Sequence, residues 1–255
     1  MDLVMRVLAV ILARAGSKGL PDKCVLPLCG RPILAYALDH ARESRLVEAI
    51  LLTTDSEPAK AIAQAMGAQI VDRPAELATD TAPVDAVVRH AVLAYEQQHA
   101  GPVDAVVILY GNIPVRREGV VDRCIGHLFD TGCDSVRTVA PIGKLHPDWL
   151  HRLHGDRLEQ YRPNSIHRRQ DLEPLYYHDG AVVAVTRAAL FAPETAADPH
   201  AFFGRDRRAV PQAEQDTVDI DTIADFYRAE AILRTRGGTS AMTPPNEAAA
   251  GGHHS

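Results

Sequence analysis

The chain has 255 residues, 46% of them hydrophobic and 24% charged, enough to bury the core of one ordinary α/β domain with a small appendage, and disorder as its dominant state is excluded. Lys plus Arg number 27 against 33 Asp plus Glu, a formal net charge of −6, so no basic excess exists to hold a polyanion and a nucleic-acid partner is not expected. No apolar run reaches the roughly 18–20 residues of a membrane span, so no membrane partner is expected either.

Residues 7–13 form a continuous β-branched and aliphatic run, the pattern of a buried central strand in a parallel sheet. Arg6, this run and the following Ala-Arg-Ala together look like a short signal peptide. Cleavage there would remove the strand that feeds the most informative loop of the chain, so a cytoplasmic location is expected. Residues 32–45 fit a helix with proline in its first turn, and 49–53 a second strand. Strand and helix then alternate: helix 56–66, strand 69–71, helix 84–97, strand 103–109, helix 119–131, strand 135–140. This is the pattern of an α/β, doubly wound, mostly parallel sheet, which takes its ligands at the carboxyl ends of the strands. The periodicity lapses over residues 141–178, a segment rich in His, Arg, Pro and Tyr that reads as an inserted, irregular unit. A strand at 181–185 and a last amphipathic helix at 222–234 follow, and residues 237–255 read as a low-complexity tail.

Cys24, Cys29, Cys124 and Cys133 form no CxxC pair and no His/Cys cluster at zinc spacing, so reduced thiols are expected rather than a disulfide framework or a structural metal. The twelve histidines are likewise without metal spacing. Only four lysines occur, and two of them, Lys18 and Lys23, stand in one loop directly after the first strand.

That loop, Arg14-Ala15-Gly16-Ser17-Lys18-Gly19-Leu20-Pro21-Asp22-Lys23, combines three cations, two glycines and a hydroxyl. Glycines let backbone N–H groups approach phosphate oxygens, and Arg14, Lys18 and Lys23 supply the charge a triphosphate needs. It is neither a Walker A loop nor a dinucleotide fingerprint, and a solvated basic turn is the alternative. Val218-Asp219-Ile220-Asp221-Thr222 precedes the last helix. In an extended segment Asp219 and Asp221 project to one side, where both carboxylates can meet one divalent ion; a helix N-cap is the alternative. A polar segment from Asp72 to Ala82 leads into a helix, and Arg168-Arg169-Gln170 and His178-Asp179-Gly180-Ala181 lie in or beside the insert. Clustered arginines suit a carboxylate or a phosphate, or simply a solvated face.

Together these motifs resemble the acylneuraminate cytidylyltransferases, or CMP-sialic acid synthetases, and their CMP-Kdo synthetase relatives. The resemblance is carried by Ile11-Leu12-Ala13-Arg14-Ala15-Gly16-Ser17-Lys18-Gly19-Leu20-Pro21 with Lys23, and by Arg73-Pro74-Ala75-Glu76-Leu77-Ala78-Thr79-Asp80-Thr81-Ala82. Arg169-Gln170, Asp179-Gly180-Ala181, Phe202-Phe203 and Val218 to Thr222 follow in family order, and the similarity spans about residues 6–234.

The resemblance implies a Rossmann-like fold of the nucleotide-diphospho-sugar transferase type. Residues 1–236 would form the nucleotidyltransferase domain, with an inserted dimerisation segment at about 141–178 and a flexible tail at 237–255. It implies transfer of CMP from CTP to the anomeric hydroxyl of a 2-keto-3-deoxy sugar acid, with Mg²⁺ as cofactor and a homodimer as the assembly. Arg14, Gly16, Ser17, Lys18 and Lys23 would hold the triphosphate, and Arg73, Thr81 and Ala82 would lie against the nucleoside. Tyr110, Asn112, Arg169, Gln170, Phe202 and Phe203 would meet the sugar acid, and Asp219 and Asp221 the metal; Arg14, Lys18, Lys23 and Asp221 would carry the catalysis.

The chain departs from the family at three places. Cys24 stands where an asparagine is usual, Pro83-Val84 replaces Ser-Ser, and Leu109-Tyr110-Gly111-Asn112-Ile113-Pro114-Val115-Arg116 replaces Leu-Gln-Pro-Thr-Ser-Pro-Leu-Arg. An acceptor other than N-acetylneuraminate, such as a legionaminic, pseudaminic or eight-carbon Kdo-type acid, is therefore left open. A nucleotide-sugar-dependent glycosyltransferase and a non-catalytic binding module are the readings from other classes.

Overall fold

The computed structural model describes residues 5–16, 19–192, 198 and 200–237. In chain order the elements are β1 (Val7–Leu12), a short hairpin of β2 (Pro27–Leu28) and β3 (Arg31–Pro32), α1 (Ile33–Arg42), β4 (Ala49–Thr54), α2 (Glu57–Ala65) and β5 (Gln69–Asp72). Then follow α3 (Val84–Glu96), β6 (Ala105–Tyr110), α4 (Val120–Thr131), β7 (Ser135–Pro141), β8 (His151–His154) and β9 (Arg157–Gln160). The last elements are β10 (Tyr176–Thr186), α5 (Arg187–Leu190), β11 (Arg207–Pro211) and α6 (Ile223–Arg236).

Among the described residues, seven strands form one sheet in the order β11-β7-β10-β6-β1-β4-β5. All neighbours run parallel except β10, which is antiparallel to both β6 and β7. β1 lies inside the sheet between β6 and β4, and every one of its side chains is buried. Successive side chains of a strand point to opposite faces. Val7, Ala9 and Ile11 therefore pack with Leu34 and Leu38 of α1, Ala59 of α2 and Ile125 of α4. Leu8, Val10 and Leu12 pack on the other face with Val88 and Val92 of α3 and Leu190 of α5. Helices on both faces explain why β1 reads as an uninterrupted apolar run instead of an alternation. A third cluster joins Leu28 of β2 and Ile33 of α1 to Val115, Val218, Ile220 and Ala229 of α6, and thereby ties the last helix under the carboxyl ends of the central strands.

The doubly wound reading holds, and its element borders need correction in four places. Pro32 does not sit in the first turn of α1; it is the extended N-cap residue, with φ −55° and ψ 140°, and the helix starts at Ile33. The insert is not irregular throughout. It contains three 3-10 turns, Gly143–Leu145, Pro147–Trp149 and Arg169–Asp171, and the antiparallel pair β8–β9, turned at Gly155 with φ +64°. Its strands, His-Arg-Leu-His and Arg-Leu-Glu-Gln, are exposed on both faces, so no burial writes a period into them. β10 begins at Tyr176, ahead of the expected 181, because a register irregularity between His178 and Val183 breaks its alternation. β11 has no counterpart in the sequence reading: it is an edge strand of Arg-Arg-Ala-Val-Pro, mostly exposed.

Thr222 caps α6: its Oγ1 accepts from the Asp225 N–H at 3.3 Å while the Asp225 carboxylate accepts from the Thr222 N–H at 2.8 Å. Among the described residues no helix is long and apolar enough to cross a membrane. Beyond Gly237 the tail lies outside the described residues.

Candidate active site

A cavity of about 590 Å³, in the size range of small-molecule sites, opens at the carboxyl ends of β1, β5 and β6. The end of β1 delivers Leu12, Ala13 and Arg14, and the loop beyond it adds Gly19, Lys23 and Cys24. Asp22, in the left-handed conformation at φ 50°, turns the chain into the 3-10 turn Lys23–Val25, a geometry Asp tolerates better than most residues. The next strand ends supply Arg73, just past β5, and Tyr110, the last residue of β6, with Asn112 beyond it. Leu77, Ala82, Val84 and Val87 give the cavity an apolar lining from the segment that enters α3, and Asp219 and Asp221 line it as well.

Close backbone approach draws these loops together. The Gly111 N–H donates to the Leu12 carbonyl at 2.9 Å, and a Cβ at Gly111 would stand 3.0 Å from that same oxygen. A Cβ at Gly19 would stand 2.5 Å from the Asp221 carbonyl oxygen, which leaves room only for glycine. Arg116 fixes the β6 loop from behind. Its guanidinium is buried and donates to three carbonyls: Ala181 at 2.7 Å, Tyr110 at 3.0 Å, and Ile113.

The charges are arranged in pairs. Lys23 Nζ lies 2.6 Å from Asp221 Oδ1, and Arg14 pairs with Asp80. Arg73 is buried and donates to the Thr53 carbonyl at 2.7 Å and to Thr53 Oγ1 at 3.4 Å; burial holds its pKa below the ordinary arginine value. Asp219 is pushed up to about 6, first by burial and then by the like charge of Asp221, with Lys23 working against both. Burial pushes the Cys24 thiol up to about 11, so this wall carries a neutral thiol and no thiolate nucleophile. The Tyr110 phenol is raised by burial and by Asp219 and keeps its proton.

Of the residues singled out in the sequence, Arg14, Lys23, Arg73, Ala82, Tyr110, Asn112, Asp219 and Asp221 share this cavity. Gly16, with φ +66°, and Thr81 are exposed beside it, and neither lines it. Ser17 and Lys18 lie outside the described residues. Arg169 and Gln170 sit in an exposed 3-10 turn, Arg169–Asp171, of the insert and do not line the cavity. Phe202 and Phe203, expected as a pocket wall, are buried in the core instead, with ring centroids 4.0 Å apart and the Arg137 guanidinium 4.3 Å over Phe203.

The structure adds residues to which the sequence assigned no role. Asp80 was visible only as part of a motif, since its partner Arg14 stands 66 positions away. Val84 and Val87, one helical turn apart at the start of α3, face the cavity; that spacing was a signal, although it reads equally as core.

Asp219 and Asp221 are the described carboxylates that could hold a cation here. No group of three or more His, Cys, Asp or Glu side chains suited to a metal occurs among the described residues. Two like-charged carboxylates two residues apart at the cavity are a donor set that a hard divalent ion fits, provided that its other oxygens come from a ligand or water.

The profile of the family described as Cytidylyltransferase matches residues 8–184. The chain is 30% identical over 226 residues to the N-acylneuraminate cytidylyltransferase of Streptococcus agalactiae serotype V, covering 87% of this chain and 52% of that protein. It is 28% identical over 235 residues to the CMP-N,N'-diacetyllegionaminic acid synthase of Legionella pneumophila, covering 90% of this chain and 97% of that one. The chain thus spans about half the length of the first of these relatives. Its fold is similar to that of a CMP:2-keto-3-deoxy-manno-octonic acid synthetase solved with CTP, with a TM-score of 0.64, 19% identity, and coverage of 91% of this chain and 99% of that one.

Proposed function

The chain belongs to the cytidylyltransferase family, and we propose that it transfers CMP from CTP to the anomeric hydroxyl of a 2-keto-3-deoxy sugar acid, with release of pyrophosphate. The observation that carries this reading is the meeting of Arg14, Lys23, Arg73, Asp219 and Asp221 in one cavity beside an apolar wall. The hydroxyl oxygen forms a bond to the α-phosphorus, the bond from that phosphorus to the bridging oxygen breaks with its electron pair leaving on pyrophosphate, and the hydroxyl proton passes to water. Such a step needs little from the protein beyond alignment and charge neutralisation.

Leu77, Ala82, Val84 and Val87 accept the flat face of the base, and Arg14 and Lys23 face the phosphates. Both cations are held by carboxylates, Asp80 and Asp221, so phosphate oxygens replace partners that already orient the side chains. Asp219 and Asp221 would hold Mg²⁺, which when bound neutralises phosphate charge as the transition state forms. Gly16 and the loop that includes Ser17 and Lys18 remain part of the proposed phosphate cradle.

The acceptor is read as a nine-carbon acid of the sialic or legionaminic type, in keeping with the names of the relatives. The altered Tyr110 to Ile113 loop places the eight-carbon, Kdo-type acid beside it as the second reading. The insert is read as the contact of a homodimer, since Leu145, Leu153 and Leu158 on it are exposed at 69%, 68% and 71%.

The test is pyrophosphate release with Mg²⁺, comparing CTP with ATP, GTP and UTP against a panel of nine-carbon and eight-carbon 2-keto acids. Release with CTP and one class of acid is expected and names the acceptor. Silence of the folded protein across the panel overturns the reading.

A further inference from the structure

The loop after β6 meets the loop before α6 through one side chain. Asn112 Nδ2 donates to Asp219 Oδ1 and, at 3.2 Å, to the Ile220 carbonyl. The Ile220 N–H returns a bond to the Asn112 carbonyl at 3.1 Å, and the buried Val115 and Val218 form an isolated antiparallel bridge alongside. Both neighbours of the amide group are acceptors, which fixes its NH₂ end toward them. Its two hydrogens are thereby committed, and neither is left for a sugar hydroxyl.

We propose that Asn112 is a positioning residue rather than a sugar contact: its amide holds one oxygen of Asp219 and so presents the other to the divalent cation that accompanies the nucleotide. This rests on the reading that Asp219 and Asp221 hold that cation. A carboxylate turns freely about its own bonds unless one oxygen is tied, and groups that tie metal-binding side chains typically set affinity by 10- to 100-fold. The tie has to be neutral. A carboxylate at position 112 would put a like charge against Asp219, next to the one that Asp221 already supplies.

The test measures CTP affinity by calorimetry in EDTA and in excess Mg²⁺, for the unaltered protein, Asp219→Asn, Asn112→Leu and Asn112→Ala. Leu keeps the shape of Asn without its donors. Mg²⁺ is expected to tighten CTP binding in the unaltered protein and not in Asp219→Asn. In the two Asn112 variants that tightening is expected to fall about tenfold or more, while affinity in EDTA stays within about twofold. If Asp219→Asn keeps the full Mg²⁺ effect, the metal reading falls and this inference with it. If Asp219→Asn loses the effect while both Asn112 variants keep it, positioning alone is overturned. An equal loss in EDTA and in Mg²⁺, or unfolding of both Asn112 variants, also overturns it, since Asn112 would then be a scaffold residue.

Discussion

Lys23 and Asp221 stand 198 positions apart in the chain, yet Lys23 Nζ lies 2.6 Å from Asp221 Oδ1. The bond joins the loop after the first strand to the loop before the last helix across the mouth of the cavity. Its members are unequal: the Lys23 side chain is 17% exposed and that of Asp221 68%. The lysine is anchored and the carboxylate is the accessible partner. A nucleotide that brings phosphate to Lys23 and a cation to Asp221 exchanges one pair for two without leaving either charge alone.

Lys23→Ala is expected to lower turnover about 100-fold or more, the usual cost of deleting a group that faces transition-state charge. Lys60→Ala is the comparison. Lys60 is held 2.6 Å from both Glu57 and Asp72, away from the cavity, and its loss should leave turnover within about twofold. Steady-state kinetics of the two variants checks this, and equal losses contradict the placement of Lys23 near the reacting phosphate.

Capping and the proposed metal binding can be separated in the segment from Asp219 to Thr222. Thr222, not Asp221, caps α6, with Asp225 as its reciprocal partner. Thr222→Ala should therefore cost about 1 kcal/mol in chemical denaturation and spare the Mg²⁺ dependence proposed for turnover. Asp221→Asn should cost less than that in stability and weaken Mg²⁺ activation. A reversed pattern would make Asp221 a structural residue.

Arg116→Met is expected to destabilise the protein by about 3 kcal/mol, because it strands the carbonyls of Tyr110, Ile113 and Ala181 in the interior. The same loop carries Asn112, so CTP binding should weaken as well. Urea unfolding gives the first number and calorimetry the second; a neutral outcome in both would show that water replaces the guanidinium.

Acid stability should depend on His40. Burial, followed by the positive charges of Arg116 and Arg236, pushes its pKa from 6.5 down to about 3, against the opposing pull of the Tyr36 backbone. The folded state thus keeps the neutral ring, so the unfolded state takes up a proton that the folded one refuses. This contribution to stability is fully present above pH 6.5 and is lost as pH falls toward 3. Between pH 7 and pH 5 the loss is about 2 kcal/mol. In His40→Gln the difference in unfolding free energy between those two pH values should shrink by about that amount. An unchanged difference would mean that His40 is protonated in the folded protein.

The strands buried on both faces were legible because burial constrains every residue, and Val7–Leu12 is the clearest case. β8, β9 and β11 were not, since hydrogen bonds alone hold exposed strands and place no demand on side-chain polarity. In the site, Asp219 and Asp221 were legible from their spacing, and Lys23 from the scarcity of lysine. The pairing of Arg14 with Asp80 was not, because separation along the chain says nothing of distance in space. Phe202 and Phe203 show the opposite failure. An adjacent aromatic pair looks the same whether it walls a pocket or fills a core, and packing against Ala189 and Leu190 decides for the core.

Tyr176 is the register partner of Pro141, so the chain leaves the sheet for the insert and re-enters it at one rung of the same ladder. The antiparallel direction of β10 makes this possible without a crossover helix. Closure of that excursion is fixed by the strand pair, and each doubling of a flexible loop adds only about 0.6 kcal/mol. The segment between the two residues is therefore an exchangeable cassette: it can lengthen, shorten or change its surface while the strand ends around the cavity keep their places.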